Sequence, residues 1–363
     1  MKRAFLQMAA AFLAAVLLFP CRAEAISARS AILLDAATGR VLYEQDADCR
    51  SLIASTTKIM TALVVCEQCN VLDRMKIPKE AVGIEGSSMY LKEGEVLALQ
   101  ELLYGLMLSS GNDAAVALAI YCAGTVEGFA GLMNDKARML GMKNTHFVNP
   151  NGLDAPDHYS TARDLAVLAA YAMENPVFRT TVSAKTVSLP GRSLKNHNRL
   201  LWMVDGADGV KTGYTKAAGR ILVSSAIREG RRLVAVTIHD GNDWEDHKVL
   251  LEDGFSRYRV RTVVRKGQVL GQVEVEGGQE GTVPLLAAEE FSCSLTEEEQ
   301  PEILFSPPGF VYAPVAEGQN AGMANVMLDG KPMGRIPMVY GQTVERKQEE
   351  KKRFWMFFWK EET

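Results

Sequence analysis

Apolar positions along the chain change their period more than once. Residues 30–34 and 40–43 are short apolar runs on either side of a loop carrying Asp35 and Gly39, which predicts a β-hairpin. From Ala54 the period lengthens. Ile59, Met60, Leu63 and Val64 share one helical face, so residues 54–69 are expected to form a partly buried helix. Residues 78–97 hold no period and are punctuated by Gly83, Gly86 and Gly94. Leu99, Leu102, Leu103, Leu106 and Met107 return at helical spacing, and the pattern stops at Ser109-Ser110-Gly111-Asn112. A second apolar helix is expected over 113–121 with Asn112 as its N-cap. Helices over 129–140 and 161–173 follow, the first ended by Gly141 and the second capped by Thr161 with Asp164.

Strand character is expected to resume after Pro176, in residues 186–189, 209–213, 219–226 and 232–238. The last two runs, joined by Glu229-Gly230, predict an antiparallel hairpin apolar enough to be central in a sheet. Residues 243–258 read as a helix. The first hairpin and the late strands would then share one antiparallel sheet around a helical insert, an α/β domain. From about Val260 short alternating runs are broken by Gly, Pro and acidic clusters such as residues 297–299, which predicts a small all-β domain ending near Tyr340.

The two ends differ from both domains. Lys2 and Arg3 precede an apolar run over 8–19 and a small-residue site at Ala23-Glu24-Ala25, the pattern of a secretory signal peptide over residues 1–25. Lipid attachment at Cys21 is disfavoured by Pro20, and an uncleaved segment would act as an anchor. At the other end a charged stretch over 345–353 leads into Phe354, Trp355, Met356, Phe357, Phe358 and Trp359. That apolar run is too short to span a bilayer, which needs about 20 residues, but aromatic rings beside Lys and Arg suit a membrane surface. The expected organisation is therefore a signal peptide (1–25), an α/β domain (26–258), a β-sandwich-like domain (259–342) and an amphipathic membrane-associating tail (343–363). Such a chain is exported and works outside the cytoplasm, peripheral on the outer face of the cytoplasmic membrane.

Composition narrows the function by exclusion. Hydrophobic residues make up 47% and charged residues 23% of the 363, and the net charge of −4 with no basic cluster in the main body gives no footprint for nucleic acid. His146, His158, His239 and His247 have no metal-ligand spacing, so neither a metal nor a cofactor is expected. Cys66 and Cys69 form a C-x-x-C, but without a second pair they are expected to act as small buried hydrophobes.

Chemistry is concentrated in three short stretches. Ser55 and Lys58 lie three apart at the start of a helix, which puts a hydroxyl beside an amine and leaves free backbone N–H groups nearby. Ser110-Gly111-Asn112 sits on a tight turn between two buried helices, holding a hydroxyl and an amide in place. Lys211-Thr212-Gly213 offers a cation and a hydroxyl on a strand, with a glycine that leaves room for a substrate lying along it.

In that order the three motifs match the set found in class A β-lactamases and penicillin-binding proteins. Their flanks, Ala54-Ser-Thr-Thr-Lys-Ile-Met-Thr61, Ser110-Gly-Asn-Asp-Ala-Ala-Val116, Phe147-Val-Asn-Pro-Asn-Gly-Leu-Asp154, Tyr159-Ser-Thr-Ala-Arg-Asp164 and Asp208-Gly-Val-Lys-Thr-Gly-Tyr214, resemble the low-molecular-mass serine D-alanyl-D-alanine carboxypeptidases. The resemblance covers about residues 27–258, and the β domain and tail match the family's layout. It implies a β-lactamase/transpeptidase-like fold and removal of the terminal D-Ala from a peptidoglycan stem peptide, with β-lactams as inhibitors. It also implies roles: Ser55 as nucleophile, Lys58 as base, Ser110 as proton relay, and Asn112 on the substrate amide. Lys211 and Thr212 would meet the terminal carboxylate, Gly213 would lie alongside, and the backbone N–H groups of Ser55 and Tyr214 would hold the oxyanion. Three departures matter. Gly111 stands where β-lactamases of class A have Asp, no Glu-x-x-Leu-Asn occurs over 145–180, and His197 stands where some relatives place an arginine. Relatives often carry His at the positions of Asn151 and Tyr214. The alternatives are a β-lactamase or D,D-transpeptidase on the same site, or a non-catalytic cell-wall-binding protein with a vestigial site.

Overall fold

The computed structural model describes residues 26–348, so the expected signal peptide and residues 349–363 of the expected tail lie outside the described residues. The chain divides into two compact units after Ser256.

The first unit opens with β1 (Ser30–Asp35) and β2 (Val41–Gln45), then a 3-10 turn (Ala54–Thr57) that runs into α1 (Lys58–Gln68). Next come β3 (Arg74–Lys76) and β4 (Val96–Ala98), then α2 (Leu99–Leu108), α3 (Asn112–Ala123), α4 (Val126–Met139), α5 (Ala162–Ala172) and α6 (Pro176–Ser183). They are followed by β5 (Thr186–Leu189), β6 (Arg192–Lys195), α7 (Leu200–Met203), β7 (Ala207–Thr215), β8 (Gly219–Arg228), β9 (Arg231–Ile238) and α8 (Asp243–Arg257).

The main sheet has the order β2-β1-β9-β8-β7 and is antiparallel throughout. The expected union of the first hairpin with the late strands around a helical insert is what forms. Both faces of the sheet are covered, and strand parity decides which residue goes where. Ile32, Leu34, Val223, Val234 and Val236 join the large core with the helical insert. Ala31, Leu33, Leu222, Leu233 and Ala235 pack on the opposite side with Leu200, Leu250 and Leu251. Every residue of β1 is buried, which is why its sequence reads as a continuous apolar run rather than an alternation.

One element was not anticipated and two local expectations are corrected. Residues 176–183, to which the pattern assigned no element, are helical. The Asn175 side chain accepts from Val177 N at 2.9 Å and Phe178 N at 3.1 Å, and Pro176 occupies a first-turn position where its missing N–H costs nothing. The run at 186–189 pairs only with β6 and stays outside the main sheet. Asn112 is the first residue of α3 rather than its cap; Gly111 holds the cap position with no side-chain bond, which releases the Asn112 amide for other contacts.

The second unit carries β10 (Arg259–Val264), β11 (Val269–Glu276), β12 (Thr282–Ala287), β13 (Phe291–Leu295), β14 (Glu302–Leu304), β15 (Phe310–Tyr312), β16 (Asn320–Leu328) and β17 (Lys331–Tyr340). Strands β10 and β13 pair with each other; the rest form a sheet in the order β14-β16-β17-β12-β11-β15. Buried and open positions alternate along β12 and the end of β17, as in a sheet packed on one face. Residues 344–347 belong to this unit. Val344 is buried and bridges Val315, and Arg346 Nε donates to Ala313 O at 2.8 Å. The stretch beyond the β unit therefore begins later than residue 343.

Candidate active site

The Ser55 turn is fixed from below. Ala54 adopts φ +45°, and Thr56 Oγ1 donates to Ile53 O at 2.6 Å. Thr57 Oγ1 donates to Ala54 O at 2.8 Å and meets His158 Nε2 at 2.7 Å. Val148 N donates to His158 Nδ1 at 3.2 Å, so Nε2 carries the ring proton and donates to Thr57. Burial pushes His158 down to about 4, which keeps this imidazole neutral and makes it a fixed strut. Gly152 closes the turn from the other side. With φ +86°, it packs so tightly that a Cβ would fall 1.9 Å from Ala54 O.

Lys58, the first residue of α1, is fully buried. Its Nζ lies 3.0 Å from Ser55 Oγ, 2.7 Å from Asn112 Oδ1 and 2.6 Å from Asn151 O. The Asn112 amide is oriented by its other end, Nδ2, which donates to Glu85 O at 2.6 Å. Asn112 Oδ1 and Asn151 O can only accept. A neutral amine has two N–H groups, and these two acceptors take both. The remaining lone pair then faces the Ser55 hydroxyl, the arrangement a general base requires.

The protonation state follows from the surroundings. Desolvation lowers the Lys58 pKa well below that of a free lysine, the charge of Lys211 lowers it further, and Asp113 opposes both. Lys211 is itself buried, with Nζ donating to Thr212 O at 2.8 Å, and burial brings it down to about 7. Holding a lysine neutral at pH 7 takes about 4 to 5 kcal/mol against its charged form. Burial and a second ammonium are the two devices present that act in that direction.

Ser55, Thr212, Gly213 and Tyr214 line one cleft of about 480 Å3, with Ser87 and His197 on its walls. The two lysines lie beneath its surface. Gly213 lines the cleft and has a second job besides the one expected of it. A Cβ there would sit 3.2 Å from Ile53 O and 3.3 Å from Ser55 N, so glycine lets β7 close onto the Ser55 turn itself. Ser110 is held between α2 and α3 at φ +60° and is buried; its hydroxyl makes no hydrogen bond with another described residue. His197 opens to the cleft, and partial burial followed by the Lys211 charge lowers its pKa.

The residues that sequence reasoning missed are those that hold this set in place. Asp113 is buried and accepts from Met89 N and Leu91 N, each at 3.0 Å, and from Ser88 Oγ at 2.6 Å. Arg192 grips the same segment from outside, donating to Met89 O at 2.8 Å and Tyr90 O at 3.0 Å while pairing with Glu95. Together they fix the irregular stretch whose Ser87 carbonyl accepts from Asn112 N at 2.7 Å. A buried acid opening an apolar helix was the available signal for Asp113. His158 had none, because its partners lie far away in sequence.

A serine hydroxyl on a helix-opening turn, a desolvated lysine beside it and a second buried lysine on the adjacent strand define an active-site serine enzyme of the acyl-transferring, penicillin-recognising class. The chain belongs to the D-alanyl-D-alanine carboxypeptidase family, whose model matches residues 19–242. A second model, described as the C-terminal domain of penicillin-binding protein 5, matches residues 258–346. It is 32% identical to D-alanyl-D-alanine carboxypeptidase DacF of Bacillus subtilis over 88% of this chain and 86% of that one. It is 35% identical to DacC of Escherichia coli over 89% and 86%. Penicillin-binding protein 5 of Haemophilus influenzae superposes with a TM-score of 0.76 at 30% identity, covering 88% of this chain and 98% of the other. The Streptomyces K15 DD-transpeptidase gives 0.61 at 36% identity over 64% of this chain and 98% of that one.

The two lysines set a pH dependence of opposite signs. Lys58 would be free to act as a base only above its lowered pKa, whereas Lys211 carries charge only below about 7. The second-order rate of acylation by a penicillin bearing a free carboxylate should therefore rise and then fall, with its descending limb near neutrality. A rate that climbs steadily to pH 10 would show that a charged Lys211 is not used.

Proposed function

We propose that this protein is a serine-type D-alanyl-D-alanine carboxypeptidase that removes the terminal D-Ala from peptidoglycan pentapeptides through an acyl-enzyme at Ser55. The observation that carries the reading is the bonding of Lys58, whose two pure acceptors leave a lone pair for the Ser55 proton. Ser55 Oγ gives that proton to Lys58 and attacks the carbonyl of the penultimate D-Ala. The oxyanion is held by the backbone N–H groups of Ser55 and Tyr214, beside Gly213. Ser110 relays a proton to the leaving D-Ala nitrogen, and Asn112 binds the substrate amide. Lys211 and Thr212 meet the terminal carboxylate. Water then hydrolyses the Ser55 ester and the proton returns to the serine. Penicillins would acylate the same hydroxyl, because their ring amide resembles the peptide end.

The substrate places the reaction outside the cytoplasm, in the cell-wall space, which agrees with the signal-peptide pattern of residues 1–25. Peripheral attachment to the outer face of the cytoplasmic membrane would come from the aromatic tail over 354–359. A second reading, transfer to an amine instead of water, has one observation in its favour. The Streptomyces K15 relative is called a carboxypeptidase in one description and a DD-transpeptidase in another, so this fold serves both acceptors.

Incubation with diacetyl-L-Lys-D-Ala-D-Ala should release D-Ala, detected by mass spectrometry. Ser55→Ala should abolish both release and labelling by fluorescent penicillin, and Lys58→Ala should abolish acylation. Penicillin labelling that persists in Ser55→Ala would overturn the assignment, and conversion of peptide to an amine adduct in preference to acid would favour the transpeptidase. Truncation after residue 348, which spares the residues that pair with the β unit, should move the protein from the membrane pellet to the supernatant. Unchanged sedimentation would remove the tail from the account.

A further inference from the structure

The cleft continues past Tyr214 onto a wall that the steps above leave unused. Arg220 stands opposite Tyr214 in the β7–β8 register, so the two side chains leave the same face of the sheet. Asp243, almost completely buried at the start of α8, grips the Arg220 guanidinium through both carboxylate oxygens, one of them 3.1 Å from Nε. The indole of Trp244 lies beside them, with the Arg220 guanidinium 5.7 Å from the ring centroid. Arg199, an exposed residue, places its own guanidinium 5.8 Å from the same ring. Arg220, Asp243 and Trp244 line the same cleft as Ser55. The Asp243 carboxylate is paired with Arg220, and Arg199 brings a second guanidinium to the same indole. Arg199 makes no hydrogen bond or ion pair through its side chain with another described residue.

We propose that Arg199, Arg220 and Trp244 form a subsite for a side chain that ends in a carboxylate, carried by the substrate residue immediately upstream of the D-Ala-D-Ala pair. The placement rests on the carboxypeptidase reading. With the terminal carboxylate at Lys211 and Thr212 and the scissile carbonyl between Ser55 and Tyr214, the upstream residue emerges past Tyr214 toward this wall. The indole offers a flat apolar face to a methylene stem. The clamp from Asp243 holds the Arg220 fork in one orientation, which suits a planar carboxylate better than a mobile cation would. Arg199 supplies the charge that Asp243 does not already balance. A side chain ending in an ammonium group would meet like charge at the same place.

The test compares two acetylated peptides that differ only in charge, each with L-2-aminoadipate or its side-chain amide preceding D-Ala-D-Ala. In low salt the acid should be hydrolysed with a kcat/KM about tenfold above that of the amide, as expected for a charge-assisted contact. The ratio should fall toward one in 0.5 M salt. It should also fall in R199Q, which changes an exposed residue, and fall further in R199Q/R220Q. The ratio is the readout because a damaged fold would lower both rates together. Equal rates for the two peptides with the unaltered protein would overturn the subsite and leave the carboxypeptidase reading standing. A preference that survives in R199Q/R220Q would overturn its assignment to these arginines. Release from neither peptide would overturn both readings.

Discussion

A lysine buried among neutral groups and within reach of a second lysine is the constraint on which this molecule turns. Water would keep Lys58 protonated, and a protonated Lys58 could take nothing from Ser55. Removing water and adding the field of Lys211 both push Lys58 toward the neutral amine, whose two N–H groups the two obligate acceptors take. Asp113 pulls the other way, yet its oxygens are already taken by backbone N–H groups and a hydroxyl, which spreads its charge over several donors. Desolvation is therefore the larger effect, and everything that keeps water out of the Lys58 pocket contributes to the chemistry.

The fold supplies that exclusion by bringing far-apart segments to one place. The 3-10 turn presents Ser55 with its own backbone N–H open, α3 delivers Asn112, and β7 lies against the turn because Gly213 has no side chain. The loop through Asn151 and Gly152 seals the remaining side, pinned to the turn by a contact that no side chain at Gly152 would allow. His158 and Arg192 never meet the reacting atoms, but each locks a segment that does its work only in one position. The sheet beneath is covered on both faces, so β7 and the turn rest on a support that cannot shift without disturbing two cores.

Much of this was legible in the residues, and the exceptions share a cause. Helical spacing located α1 through α5, and apolar runs located the strands of the main sheet, because burial leaves a periodic trace. The helix at 176–183 was hidden because Pro176 reads as a break when it is in fact a first-turn residue behind an asparagine cap. The three chemical motifs could be named from their order, yet the duties of two residues were only partly read. Asn112 looked like a cap and is a partner of Lys58; Gly213 lines the cleft, as expected of it, and also makes space for the Ser55 turn. Asp113 and His158 escaped notice because most of their partners are 10 to 101 residues away, and several of them are backbone groups, which carry no sequence signal.

The charge state of Lys58 can be observed without any substrate. In protein carrying lysine labelled with carbon-13 at Cε, the Lys58 resonance, assigned by its disappearance in Lys58→Ala, should report a neutral amine at pH 8 while the surface lysines remain charged. A Lys58 resonance that titrates with the surface lysines near pH 10 would contradict the account at its foundation.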